Sequence, residues 1–167
     1  PNHTYINDGV YNVQMTASNA FGDGIVTKIS FVEVNTADNL IPADCYPSTL
    51  AYCCGYGIEN VNINSINNAS VNSSEGYVDF SCENKTNLNI GDSYAISVST
   101  GLDNPQDTKV WLDIDNNGFF DSDELLLEEY NTYSFTAALV VPVNTVLSTP
   151  IRMRISSDEV GNSFGPC

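Results

Sequence analysis

The segment TKVWLDIDNNGFFDSDE (residues 108–124) joins a strand pattern directly to an acidic loop. Its first half alternates between two residue classes with the period of a β-strand. This alternation predicts one face with Val110, Leu112 and Ile114, and an opposite face with Trp111, Asp113 and Asp115. Helix patterns are nearly absent along the chain, so the sequence as a whole favours an all-β fold.

The acidic half, DIDNNGFFDSDE, has the spacing D-x-[DN]-x-[DN]-G-x5-E of a calcium-binding loop. Ca²⁺ prefers oxygen ligands from carboxylates, amides and main-chain carbonyls. The loop itself supplies this geometry, so a strand can precede it as well as a helix can. The predicted ligands are the side chains of Asp113, Asp115, Asn117, Asp121 and Glu124, and the carbonyl of Phe119.

The alternative interpretation is a solvent-exposed acidic hairpin, because Asp and Asn favour turns without any ion. Like charges this close repel one another, and each contact between them costs stability. A divalent cation cancels that cost, so we expect Ca²⁺ to be bound. The carboxylates concerned are those of Asp113, Asp115, Asp121, Asp123 and Glu124.

Period-2 alternation recurs along the rest of the chain and predicts a β-sandwich. The predicted strands are GVYNVQMTAS, IVTKISFVEV, ENVNINSI, YVDFSC, SYAISVST, YSFTAALVV and IRMRIS. A polar, proline-containing linker is expected at residues 37–44, and an Asn/Ser-rich loop at 67–76. In IRMRIS we expect Arg152 and Arg154 to point outward and to pair with acidic neighbours.

The charge balance excludes several classes of partner. Five Lys and Arg residues against 21 Asp and Glu residues give a formal net charge of −16. Nucleic acids and anionic membranes are repelled by such a field. No apolar run approaches the ~20 residues that a membrane helix needs, so membrane insertion is not expected.

Five cysteines, Cys45, Cys53, Cys54, Cys82 and Cys167, follow no zinc-site spacing. They indicate an oxidising compartment with two disulfides and one unpaired thiol. The alternative is a set of ordinary free cysteines in a cytosolic protein.

Catalytic motifs carry little weight in this sequence. GNSFG (residues 161–165) matches the G-x-S-x-G nucleophile elbow, but that motif needs a strand–turn–helix setting and a histidine base. The one histidine, His3, falls in a different predicted domain from Ser163. We therefore expect no enzymatic activity.

The first block, HTYINDGVYNVQMTASNAFGDG, resembles the C-terminal part of a PKD domain. The residues that carry the resemblance are His3, Tyr5, Gly9, Tyr11, Val13, Asn19 and Gly22. It implies that residues 1–36 form a fragment of an immunoglobulin-like sandwich, used as a spacer or interaction module.

The remainder, residues 45–167, resembles the GEVED domain of secreted and surface proteins of Bacteroidetes-like bacteria. GIENVNINSINN, GYVDFSC, VWLDIDNNGFF and VPVNTVLSTPIRMRISSD carry the resemblance. It implies a jelly-roll-like β-sandwich that lacks its final strand, since the eponymous G-E-V-E-D-Y ending is missing. Asp115 and Asn117 exchange the family's usual Asn and Asp, and both still offer oxygen. The resemblance also implies that Cys45 pairs with Cys167, leaving Cys82 for Cys53 or Cys54.

Together these features predict a non-catalytic, calcium-stabilised module of a large secreted or cell-surface protein, with a structural or adhesive role. Its expected partners are other extracellular proteins or surface glycans, and unpaired strand edges also allow self-assembly. The alternative is an accessory, carbohydrate-binding module of an exported hydrolase or metalloprotease.

Overall fold

The computed structural model describes residues 3, 5, 7, 9–34, 40–47, 54–70 and 76–167. The chain divides into two units, Pro1–Asn39 and Leu40–Cys167. The described elements are nine β-strands and one three-residue 3-10 turn, and every strand pairing is antiparallel. The all-β prediction is therefore confirmed. Of the predicted linker, residues 37–39 lie outside the described ranges.

The first unit contains a long hairpin of β1 (Gly9–Asn19) and β2 (Gly22–Val34). The turn between them is stabilised by the side-chain oxygen of Asn19, which accepts a hydrogen bond from Phe21 N at 2.8 Å. The ring of Tyr5, before β1, contacts the rings of His3 and of Tyr11 in β1, with each pair of centroids 4.5 Å apart. This contact explains the local H-x-Y and G-x-Y pattern as aromatic packing.

The second unit is a sandwich of two antiparallel sheets. The larger sheet has the order β4 (Ile66–Ala69), β3 (Ile58–Ile63), β5 (Ser93–Thr100), β8 (Ser134–Val140). The smaller sheet has the order β7 (Leu125–Thr132), β6 (Gln106–Leu112), β9 (Met153–Glu159).

The hydrophobic core lies between these two sheets. Ile63, Ile96 and Leu139 come from the larger sheet and Val110 from the smaller one, each at 1% exposure or less. Burying an aliphatic side chain of this size contributes roughly 1.5–3 kcal/mol, so these contacts hold the two sheets face to face. The predicted β-sandwich is confirmed for this unit.

Some of the predicted strands differ from those in the structure. ENVNINSI does not form one strand, because Asn64 adopts a left-handed conformation (φ 50°) and folds β4 back on β3. The predicted loop at 67–76 therefore begins as part of β4, and its residues 71–75 are outside the described ranges. YVDFSC forms no strand, and β7 was not predicted at all.

The outer face of β6 is also covered, by residues 161–167, which we call the strap. Asp107 Oδ2 accepts a hydrogen bond from Gly161 N at 2.9 Å. Lys109 Nζ donates to Phe164 O at 3.2 Å and lies 4.9 Å from the Phe164 ring centroid. Arg154 Nη1 donates to Pro166 O at 2.8 Å. The strap thus follows a row of charged side chains.

The strap explains why Arg154 is buried although it points outward from β9 as predicted. Alternation does place Arg154 on the outer face of β9, but that face is covered and Arg154 is 4% exposed. Arg152 pairs with an acidic residue as predicted, with Nη1 3.0 Å from Asp79 Oδ2, and its side chain is also largely buried.

The cysteines follow the expected pattern only in part. Cys45 and Cys167 form a disulfide, with Cα atoms 5.8 Å apart, as the family resemblance implies. Cys54 is also disulfide-bonded, and Cys53 lies outside the described residues. Cys82 is free and exposed, so its expected pairing with Cys53 or Cys54 was wrong. It lies in a turn where Glu83 N and Asn84 N both donate to Phe80 O, and not in the predicted strand.

Candidate metal centre

The acidic loop begins directly where β6 ends. Asp113 N donates to Arg152 O at 2.9 Å, and Ile114 O accepts from Val146 N at 2.8 Å. The chain then turns sharply through two left-handed residues, Asn116 (φ 54°) and Gly118 (φ 86°). Asn and Gly tolerate this conformation better than other residues, so the loop sequence matches its backbone.

Gly118 is required for a second reason, which is the close approach of another segment. A Cβ atom at this position would lie 2.6 Å from Pro42 O and 3.2 Å from Ile41 Cγ2. Asp44 N also donates to Gly118 O at 2.8 Å. The segment of residues 40–45 therefore packs directly against the turn of the loop.

Asp113 is the most deeply placed carboxylate of the loop, at 0% exposure. Its Oδ1 accepts a hydrogen bond from Asn117 N and its Oδ2 accepts one from Gly118 N, both at 3.0 Å. The backbone of the loop is thus wrapped around this side chain, which fixes the direction of its two oxygens.

Glu124 reaches back to the same place from the 3-10 turn Ser122–Glu124. It is 2% exposed. Its Oε1 accepts from Ile114 N at 2.7 Å, and its Oε2 accepts from Asp121 N at 2.9 Å. Backbone N–H groups from both ends of the loop therefore hold Glu124 opposite Asp113.

Asp115 completes a group of three converging carboxylates. One oxygen from each of Asp113, Asp115 and Glu124 lies within 4.8 Å of the other two. A carboxylate oxygen that accepts one N–H still has a lone pair available. The three side chains can therefore keep their hydrogen bonds and also bind a cation between them.

The other three predicted ligands are not arranged in the same way. Asn117 turns its Nδ2 toward Asp115 Oδ2 at 2.9 Å, and its Oδ1 accepts from Phe119 N at 2.7 Å. Phe119 and Asp121 are both exposed. The direct contribution of Asp121 to the cluster is its backbone N–H, which Glu124 accepts.

Burial has a clear electrostatic effect on the two inner carboxylates. Desolvation raises the pKa of Asp113 above its usual value of 3.8, against the hydrogen bonds from Gly118 and Asn117 that lower it, and the charge of Asp115 raises it further. Desolvation likewise raises the pKa of Glu124 above 4.5, and the charges of Asp113 and Asp115 add to this effect. Without a cation, ionising these groups therefore costs free energy in the folded state.

The donor set suits a hard cation such as Ca²⁺. All the converging groups are carboxylate oxygens, whereas zinc and copper sites favour nitrogen and sulfur. The ion pairs between described residues of this unit, Lys109–Glu128 and Arg152–Asp79, lie outside the loop. Asp113, Asp115 and Glu124 would hold the ion, and the ion would supply the positive charge that balances them.

Some residues that shape the site have only weak signals in the sequence. Asn116 Oδ1 accepts from Ile41 N at 3.4 Å, and only the tendency of Asn to adopt positive φ hints at its role. The guanidinium of Arg154 lies over the Phe120 ring, 4.5 Å from its centroid, beside the loop. That contact joins residues that are far apart in the chain, so no local sequence pattern predicts it.

Comparison with known proteins gives a family match. Residues 107–167 match the family model described as the GEVED domain. The matched region begins in β6 and includes the whole acidic loop, β7, β8, β9 and the strap. Searches of curated proteins and of solved structures found no match. No helix among the described residues is long and apolar enough to cross a membrane.

Proposed function

We propose that this chain is a non-catalytic, calcium-stabilised extracellular β-sandwich module of a large secreted or cell-surface bacterial protein, with a structural or adhesive role. The observation that carries this proposal is the convergence of three carboxylates, two of them buried, at the turn of one loop. Other extracellular proteins or surface glycans are its proposed partners.

Stabilisation by calcium follows from the burial of these charges. A cation between Asp113, Asp115 and Glu124 removes their mutual repulsion and compensates for their desolvation. The unfolded chain does not bring the three side chains together, so the ion binds the folded state. A ligand of this kind stabilises a protein by about 2.7 kcal/mol at a concentration of 100 times its Kd.

The disulfides support an extracellular location. The bond between Cys45 and Cys167 closes a loop with a sequence separation of 122. In the chain-entropy model such a loop contributes roughly 4–5 kcal/mol to stability. Cys54 is disulfide-bonded as well, and disulfides persist mainly in oxidising compartments.

Residues 107–167 match the GEVED domain, and the resemblance drawn from the sequence implies that modules of this family occur in secreted and surface proteins, which supports a surface-protein context. Within this proposal, residues 1–36 are the C-terminal part of a PKD-like module, and the source is a Bacteroidetes-like bacterium. A two-stranded hairpin is consistent with part of such a sandwich.

A non-catalytic role fits the surroundings of Ser163. This residue lies in the strap, which has no regular secondary structure, and its side chain is exposed. A nucleophile elbow instead places its serine between a strand and a helix. The strap is accounted for by its contacts with the outer face of β6.

One observation favours the alternative of a carbohydrate-binding accessory module. Tyr46, Tyr130 and Tyr133 are each more than 40% exposed, and exposed aromatic rings can stack on sugars. A glycan array would distinguish this role from protein-protein contact, because only the alternative predicts specific retention of a glycan.

The proposal is tested by thermal unfolding of the full chain in excess calcium and in excess EDTA. We expect the melting temperature (Tm) to fall on chelation, and Asp113→Ala to be insensitive to calcium. Asp123→Ala is the matched control, because Asp123 is an exposed carboxylate of the same loop that lies outside the converging group. An unchanged parent Tm in EDTA, or equal behaviour of the two variants, would contradict the calcium site.

A further inference from the structure

We propose that the Cys45–Cys167 disulfide and the acidic loop are thermodynamically coupled: reducing the disulfide weakens calcium binding, and bound calcium protects the disulfide from reduction. This inference rests on the calcium site of the proposed function. It concerns how that site is regulated, and two continuous sets of contacts carry it.

The first set of contacts runs through the 40–45 segment. Asp44 N donates to Gly118 O at 2.8 Å, and Ile41 N donates to Asn116 Oδ1 at 3.4 Å. Ala43, between them, is 5% exposed. The turn that orients Asp113 therefore packs against a segment whose last residue is the disulfide cysteine Cys45.

The second set of contacts runs through Arg154. Its Nη1 donates to Cys45 O at 3.0 Å and to Pro166 O at 2.8 Å. One guanidinium therefore holds one disulfide cysteine and the residue that precedes the other. One face of the same guanidinium covers the ring of Phe120, at 4.5 Å from its centroid. Phe120 follows the predicted ligand Phe119, so this contact leads back into the loop.

The disulfide fixes the end of the 40–45 segment. When the bond is broken, Cys45 and Cys167 lose their covalent constraint, and holding both beside Arg154 costs more conformational entropy. The acidic loop then loses part of its support, so more of the loop must become ordered when the ion binds. Calcium affinity is expected to fall as a result.

Linkage makes the effect reciprocal. If reduction lowers calcium affinity by some factor, calcium must lower the tendency of the disulfide to be reduced by the same factor. Couplings between distinct sites are typically about 5–150-fold, and direct contact between the two parts favours an effect within this range.

The chemistry of reduction needs an external dithiol. Its thiolate attacks one sulfur of the Cys45–Cys167 bond, and the other cysteine leaves as a thiolate that takes up a proton. The second thiol of the reagent then displaces the first cysteine and closes a disulfide within the reagent. Two electrons pass to the protein, and the reagent is oxidised. Cys167 is exposed and Cys45 is half-buried, so the bond is accessible to this attack.

Calorimetric titration of calcium into chelator-treated protein tests the coupling. The Cys45→Ser/Cys167→Ser double variant removes this disulfide and leaves the one at Cys54 intact. We expect its calcium Kd to exceed that of the parent by about 5–150-fold. Equal Kd values would overturn the coupling while leaving the calcium site established. A parent that binds no calcium would overturn the proposed function itself.

A second measurement uses the unmodified chain and does not depend on the folding of the serine variant. The half-life of the Cys45–Cys167 bond in dithiothreitol, followed by alkylation and peptide mass, is expected to be longer in calcium than in EDTA. The half-life of the disulfide at Cys54 serves as the internal control. Equal half-lives of the Cys45–Cys167 bond in calcium and in EDTA would overturn the proposal.

Phe120→Leu tests the route through Arg154. Phe120 contacts Arg154 but is not a proposed ligand, so this variant weakens one route and keeps the carboxylates and the disulfide. We expect the ratio of Kd values with and without the disulfide to be smaller in this background than in the parent. An unchanged ratio would show that the Phe120–Arg154 contact carries none of the coupling.

Discussion

Replacing Arg154 by Met is expected to destabilise the second unit far more than the same change at Arg152. Arg152 immediately precedes β9 and Arg154 is the second residue of that strand, and the two side chains differ in what they hold together. Met keeps an apolar stem of similar length, so the comparison isolates the guanidinium group from the packing of the side chain.

The magnitude follows from the contacts of Arg154. Its Nη1 makes two hydrogen bonds to main-chain carbonyls, at 2.8 and 3.0 Å, and such charge-assisted bonds contribute about 1.5–3 kcal/mol each. The rings of Phe120 and Tyr77 lie 4.5 and 5.3 Å from the guanidinium, and contacts of this kind contribute about 0.5–2 kcal/mol each. Desolvation of the buried cation offsets part of this gain. We therefore expect Arg154→Met to cost about 2–6 kcal/mol, because two main-chain carbonyls each lose their donor at about 1–3 kcal/mol.

Arg152→Met is expected to cost only about 1 kcal/mol, because its partner Asp79 is 39% exposed and such pairs contribute little. Urea unfolding of the full chain in calcium measures both values. Fluorescence of Trp111 is a suitable signal, since it is the one tryptophan of the chain and lies buried in β6 of the second unit. If the two variants differed by less than about 1 kcal/mol, the role assigned to Arg154 would be wrong.

Two further predictions concern the loop. Gly118→Ala should cost at least about 1–3 kcal/mol in the free energy of unfolding, because the new Cβ meets Pro42 O at a positive φ, whereas Gly165→Ala, with open space around it, should be near neutral in the same assay. The raised pKa values of Asp113 and Glu124 mean that, in EDTA, the folded state binds protons more tightly than the unfolded chain does. The stability that protonation of these two groups contributes is therefore complete below their unfolded-state pKa values of 3.8 and 4.5. It is lost as the pH rises through their folded-state pKa values. Calcium competes with these protons, so the rise in Tm that calcium causes should shrink as the pH falls from the folded-state to the unfolded-state pKa values of the two groups. A rise in Tm that does not depend on pH would contradict this prediction.

Sequence periodicity was sufficient where one face of a strand packs on the core and the other does not. In β5, Ile96 and Val98 are buried and their neighbours Ala95, Ser97 and Ser99 are less so, which matches the alternation in SYAISVST. β7 begins with three consecutive leucines, Leu125–Leu127, so it has no period of two at its start and was not predicted. YVDFSC has the opposite character, since it alternates and yet forms no strand, and its last residue, the exposed Cys82, lies in a turn.

The residues of the candidate site could be predicted because they lie close together in the sequence. Asp113, Asp115 and Glu124 occupy fixed positions of one short loop, so their spacing contains most of the information on their placement. Strand alternation did not describe them correctly, since β6 ends at Leu112 and Asp113 is buried while Asp115 is exposed.

The surroundings of the loop depend on contacts between residues far apart in the sequence. The hydrogen bond from Arg154 to Cys45 O spans 109 positions, and that from Ile41 to Asn116 spans 75. The outward pattern of Arg154 was correct for an isolated sheet. Arg154 is nevertheless buried because the strap covers that face of the sheet, and a single sequence does not reveal which segment covers which face.

A crystal structure of the full chain grown in millimolar calcium tests the central claim most directly. We predict an ion between Asp113, Asp115 and Glu124, at about 2.3–2.6 Å from oxygens of all three side chains. Clear density for the same loop, with nothing bound between the three carboxylates, would contradict it.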